Sequence, residues 1–160
     1  MQGDTATGQR ITLLNHETDE LIEVPIRPDI LSEQVEVNYS RATVIGLTHQ
    51  PLQYLGTANR KIPSITFQVD QHFAGEGEDI ETLRNFLMAA TVEEEGRAGP
   101  ARITMVWPKA MTFTGVITSL RISRERFGSD GRVTGYSATV TFEEWVPERR
   151  TADAYRLGVY

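Results

Sequence analysis

The chain has 160 residues, 16 Lys+Arg against 22 Asp+Glu, a formal net charge of -6 and no cysteine. That length predicts one domain, large enough to bury about 68–70% of its unfolded surface, and an apolar share of 39% excludes a disordered or collagen-like chain. The missing cysteines exclude disulfides, thiolate catalysis and Cys-ligated metal sites. The acidic balance weighs against a protein whose task is to grip phosphate backbones, because that affinity comes from Lys and Arg.

Met1–Gly8 is small and polar and is expected to be a flexible arm; it has neither the basic nor the apolar region of a signal peptide. Arg10–Leu14 and Glu20–Ile26 predict a hairpin around the turn-rich Asn15–Asp19, closed by Pro25 and Pro28. Gln34–Ser40 alternates, with Val35, Val37 and Tyr39 on an apolar face expected to be buried. Arg41–Asn59 is expected to be a long, partly ordered connection, and loops of that length usually serve a function.

Ile62–Phe73 alternates again, with Ile65, Phe67, Val69 and Phe73 on one face and Ser64, Thr66, Gln68, Asp70 and His72 on the other. The spacing then becomes helical over Asp79–Val92, where Ile80, Leu83, Phe86, Leu87 and Ala90 form a stripe. Asp79 is the expected N-cap and Gly96 the expected terminator. Arg102–Trp107 predicts a strand. Met111–Phe127 is a long extended run whose apolar phase slips between Ile117 and Leu120, which predicts a β-bulge near Thr118–Ser119. Gly128–Gly131 is a turn, and Val133–Trp145 returns with Tyr136, Ala138, Val140 and Phe142 inward. The tail Glu148–Tyr160 is mixed and partly charged. These elements predict a mainly β protein, two antiparallel sheets forming a sandwich or part-barrel, with one flanking helix. No apolar run is long enough for a membrane span, so no membrane partner is expected.

Catalytic signatures are sparse. Gly3-x4-Gly8 lacks the Lys and Ser/Thr of a phosphate loop, and His16, His49 and His72 are too dispersed for a compact metal motif. His72 beside Asp70 is the single lead for a proton relay or metal pair; a solvated strand face explains it as well. No serine lies in a nucleophile elbow. Glu93–Glu95 is an acidic loop run. Arg121, Arg124, Arg126 and Arg132, with Phe127 among them, fit either a nucleic-acid contact or a protein contact and hairpin salt bridges. Asn38-Tyr-Ser40 matches a glycosylation acceptor, with no secretion signal to accompany it. No catalytic residue, metal or cofactor is therefore expected, and the protein is expected not to be an enzyme.

The second faces of several strands are small and rich in hydroxyls: Ser64, Thr66 and Gln68; Ser137, Thr139 and Thr141; Thr112, Thr114 and Thr118. Such faces suit a wet cavity or pore, and Thr also suits any strand by propensity.

In order, Val35–Ser40, Thr43–Gly46, Pro51–Gly56, Ile62–Phe67, the helix Ile80–Ala90, Ile103–Trp107, Phe113–Val116 and the closing Thr139–Glu144 resemble the tube-domain family of contractile injection systems. The resemblance spans about residues 9–146, expected to be the tube-like domain, with 147–160 as a docking tail. It implies two antiparallel sheets and a flanking helix, assembled into a homomeric ring, a hexamer, whose inner sheets close edge to edge. It implies a place in the tail of a contractile phage, at the junction of tail tube and baseplate hub, assembled in the host cytoplasm. Partners would be further copies, hub or spike proteins and the tube protein, with phage DNA as cargo passing through unbound. The lumen would be faced by Thr66, Gln68, Asp70, Ser137, Thr139, Thr141 and Glu143. Leu47, Leu52, Tyr54, Tyr155, Leu157 and Tyr160 would contact neighbouring subunits or rings. Strand pairing between subunits would involve Ile62–Phe73 and the Met111–Trp145 hairpin. Many family members carry a LysM domain; none is evident here, so peptidoglycan binding is not expected. A major tube subunit, the inner tube of a related secretion system, and a monomeric β-barrel with a private ligand pocket are the alternatives. A neutral or acidic lumen, with the Arg cluster elsewhere, would let DNA slide.

Overall fold

In the computed structural model, residues 10–25, 28–73, 79–93, 95–96, 99–146 and 151–158 are described. The expected first hairpin is present as β1 (Thr12–Asn15) and β2 (Leu21–Glu23), turned by the Asn15 side chain, which accepts the Glu17 and Thr18 amides. β3 (Val37–Arg41) and β4 (Leu52–Thr57) pair with each other alone, as a two-stranded sheet. β5 (Lys61–Asp70), α1 (Glu81–Ala89), β6 (Ile103–Trp107), β7 (Met111–Phe127), β8 (Val133–Glu144) and α2 (Ala152–Leu157) follow. The main sheet has six strands in the order β2-β1-β6-β7-β8-β5, with every neighbouring pair antiparallel.

Alternation makes one side of this sheet apolar, and the core forms there. Ile11 and Leu13, Ile103 and Met105 on β6, and Phe113 and Ile117 on β7 cluster with Ile65 and Phe67 on β5 and with Ala138, Val140 and Phe142 on β8. The Phe113 and Phe142 rings meet edge to face, centroids 6.2 Å apart. β7 serves both halves of this core because it carries the expected bulge: its register against β8 shifts between Ile117 and Ser119, which resets the apolar phase. The stripe of α1 packs on the same core through Leu83, Phe86 and Leu87. The Tyr136 hydroxyl anchors its first turn, donating to the Ile80 carbonyl (2.6 Å) and accepting from the Arg84 amide (3.1 Å). Asp79 accepts the Glu81 amide at 2.9 Å, the local role its sequence position predicts.

Several expectations need correction. The alternating face Val35, Val37 and Tyr39 is exposed in the single chain, because β3 and β4 project away from the main sheet. The stretch expected to be a loop, Arg41–Asn59, supplies β4, which turns back along β3. Phe73 lies past the end of β5, in a turn closed by its amide on the Asp70 carbonyl, and is exposed. The helix ends before Gly96: Thr91 folds its hydroxyl onto the Met88 carbonyl at 2.7 Å and stops it there. A second helix, α2, lies in the tail, capped by Thr151 and ended by Gly158 in the left-handed conformation. The arm Met1–Gly8 lies outside the described residues.

Candidate functional site

Two surfaces are built by this fold: a polar sheet face and an apolar arm.

The polar face lies on β5, β8 and the distal half of β7, on the side away from the core. Register places Thr66 opposite Thr139, Gln68 opposite Ser137 and Lys61 opposite Glu143. Across β8, Thr139 faces Arg121, Ser137 faces Ser123 and Thr141 faces Ser119. Thr66, Gln68, Ser137, Thr139, Thr141 and Glu143, scattered over nearly half the sequence, thus share one surface. Their hydroxyls are partly committed: Thr66 and Thr139 hydrogen-bond to each other (3.2 Å), Thr141 donates to the Pro63 carbonyl (2.7 Å) and Ser137 to Glu125 (2.7 Å).

Asp70 joins this face by register, opposite Gly135, but it is buried. Its carboxylate accepts the backbone amide of His72 (3.0 Å) and pairs with the guanidinium of Arg126. Gly135 leaves room for that arginine, since a Cβ there would stand 3.3 Å from the Arg126 side chain. The Asp70–His72 contact is therefore a backbone turn, and it involves no ring nitrogen. Among the described residues, no three His, Asp or Glu side chains gather as metal ligands.

The arginines are not all elsewhere, as a freely sliding lumen was expected to require: Arg121 lies in the Thr66–Thr139 row and Arg126 crosses to Asp70. The face stays formally neutral because Lys61, Arg121 and Arg126 are balanced by Asp70, Glu125 and Glu143.

The arm is the β3–β4 hairpin and its tip. Val37, Tyr39, Leu52 and Tyr54 share one face by register, and the Tyr39 and Tyr54 rings meet edge to face at 5.9 Å. Ala42 to Asn59 contains no Asp, Glu, Lys or Arg. Leu47, Leu52 and Tyr54 are all exposed, and Ile45 at the tip is 99% exposed. α2 lies nearby: Val35, Tyr54, Leu55, Val146, Ala152 and Tyr155 line an open groove of about 1090 Å³ between arm and tail. Two expected contact residues, Tyr54 and Tyr155, thus meet at one groove, while Leu157 is exposed on α2 and Tyr160 lies outside the described residues.

A clasp that local sequence patterns do not reveal holds the arm to the core. Arg60, just after β4, reaches Glu33 at 2.9 Å and the buried Glu144 at 3.1 Å, and its guanidinium sits 5.3 Å from the centre of the Phe113 ring. Gln34 and Lys61 exchange two backbone hydrogen bonds at the same place. These partners are separated by up to 84 positions in the chain, so spacing carries no trace of them.

Comparison with known proteins gives one family. Residues 9–153 match the family described as contractile injection system tube protein. A solved structure, the six-fold symmetrised baseplate of the anti-feeding prophage, contains a similar chain: 10% identity, TM-score 0.48, with 91% of this chain and 95% of that one covered. No curated protein matches. With the match spanning most of its length, the chain belongs to the contractile injection system tube proteins, structural components of these particles.

Proposed function

We propose that this protein forms a homomeric ring, a hexamer, at the junction between tail tube and baseplate hub of a contractile phage tail. The polar face of β5, β8 and distal β7 lines its DNA-conducting lumen. The observation that carries this reading is the pairing of a neutral, hydroxyl-rich sheet face with an apolar arm that the single chain leaves uncovered. A neutral wall offers passing phosphates no net cationic charge. The arm and the α2 groove, including Leu47, Leu52, Tyr54, Tyr155 and Leu157, would contact adjoining copies, rings or hub proteins, since exposed apolar surface of this extent marks a contact site. Residues 9–146 form the tube domain and 147–160 the docking tail; hub or spike proteins and the tube protein are the neighbours along the axis. Assembly takes place in the host cytoplasm and the product is part of the virion.

Copy number tests the place in the particle. Quantitative mass spectrometry of purified particles is expected to give a single ring's worth of this chain. Many rings' worth would make it the repeating tube subunit, and its absence from the particle would refute the structural role. The ligand-pocket alternative is less favoured because the hydroxyl residues lie on an open sheet face opposite the core.

A further inference from the structure

The layer that carries the polar face has three strands, and both outer strands are open on their far sides among the described residues. β5 is the last strand of the main sheet. β7 is covered by β6 only from Met111 to Gly115, so Ile117 to Phe127 has β8 on one side and no strand on the other. On β5, Gln71 just past its end donates its amide inward to the Thr134 carbonyl. Alternation along an antiparallel ladder then turns the backbone groups of Thr66 and Gln68 outward. The start of that edge is already occupied, by the bridge between Lys61 and Gln34. Open edges of this length are normally paired or blunted.

We infer that neighbouring copies of this chain join by a parallel pairing of β5 in one copy with the distal half of β7 in the next. The inference rests on the ring reading above and specifies its seam. β5 and β7 are each antiparallel to β8, so they run in the same direction. Rotation about a ring axis preserves strand direction relative to that axis. A layer with an odd number of strands therefore meets its neighbour in parallel at every seam. A two-fold dimer would instead pair one edge with its own copy, antiparallel, and leave the other edge open. Two different open edges of comparable length on opposite sides are what a head-to-tail ring uses. Parallel pairing is slightly weaker per residue than antiparallel pairing, which gives the apolar arm a second part in holding the ring. Arg121, on the edge strand β7, has no ion-pair partner among the described residues; across the seam it meets the uncharged Thr66 and Gln68.

A chain without cysteine makes the test direct. Thr66→Cys or Gln68→Cys is combined with Ser119→Cys, Arg121→Cys or Ser123→Cys in the full chain, and the assembled material is oxidised. Within one copy these pairs are held apart by β8, at roughly two strand spacings of 4.8 Å, beyond disulfide reach. The seam predicts cross-linked ladders longer than a dimer. It also predicts that moving from Thr66→Cys to Gln68→Cys shifts the best β7 partner two residues towards Phe127. A shift towards Ile117 would overturn the parallel seam while leaving the ring. Thr66→Cys alone cross-linking to a dimer and no further would refute the ring itself. If the substitutions block assembly, hydrogen exchange on the unmodified chain decides: Thr66, Gln68 and Ile117–Phe127 should gain protection on assembly, and no gain there would overturn the seam.

Discussion

The Tyr136 hydroxyl holds the first turn of α1 to the sheet, and its surroundings set its acidity. Burial pushes its pKa from the ordinary 10.0 up to about 12, with the Arg84 amide opposing the shift and the Glu81 carboxylate adding to it. Because the folded-state pKa is the higher one, the resulting stabilisation is complete below pH 10 and is lost as the pH rises through about 12. Tyr136→Phe leaves the Arg84 amide and Ile80 carbonyl without this partner. It should cost about 1–3 kcal/mol at neutral pH, read from denaturant unfolding, and should flatten the loss of stability above pH 10. Gly115 is a second point of precision. A Cβ there would stand 2.2 Å from the Glu143 carbonyl oxygen and 2.7 Å from the Phe113 ring, so the strands approach too closely for any side chain. Gly115→Ala should destabilise by about 1–3 kcal/mol; an unchanged melting temperature would contradict this packing. At this scale the sequence is legible where the partner is local, as with Asp79 and the Glu81 amide. It is not legible where the partner is remote. Parity places Asp70 on the polar face, but nothing near it announces that Arg126 will bury its carboxylate.

At the scale of elements, alternation located the strands of the main sheet, and the phase slip located the β7 bulge, because both are imprinted by a core inside the chain. The β3–β4 arm shows where that logic stops. Val35, Val37 and Tyr39 alternate as a buried strand face does, yet Tyr39 is 54% exposed. The pattern was correct about burial and silent about which molecule provides it. β4 was missed for a related reason. It lies in an uncharged stretch behind Gln50–Pro51, without an internal core to impose a clear period. An isolated two-stranded hairpin is marginal in water, so the Arg60 clasp and an external partner have complementary roles. The double variant Tyr39→Ser, Tyr54→Ser should leave the thermal unfolding of the single chain nearly unchanged, because neither ring reaches the core. In the same material, sedimentation should show loss of assembly. Loss of fold with assembly intact would contradict this division of labour.

For the whole molecule, the charge of -6 and the missing cysteines acquire a physical sense. The acidic excess does not sit on the polar face, where three cations meet three anions. Neutrality there is the property that matters for a conduit. Thr139→Arg adds one cation per copy beside Arg121 and should reduce infectivity by slowing DNA passage, with particle counts in electron micrographs unchanged. Equal infectivity would argue that this face does not meet DNA. The most direct measurement is a cryo-electron microscopy reconstruction of the intact particle. It should show one ring of this chain between tube and hub, with Thr66, Thr139 and Arg121 facing the channel and the Tyr39–Tyr54 arm packed on an adjoining subunit. A map in which that density is absent, or in which the β5–β8 face is turned away from the channel, would contradict it.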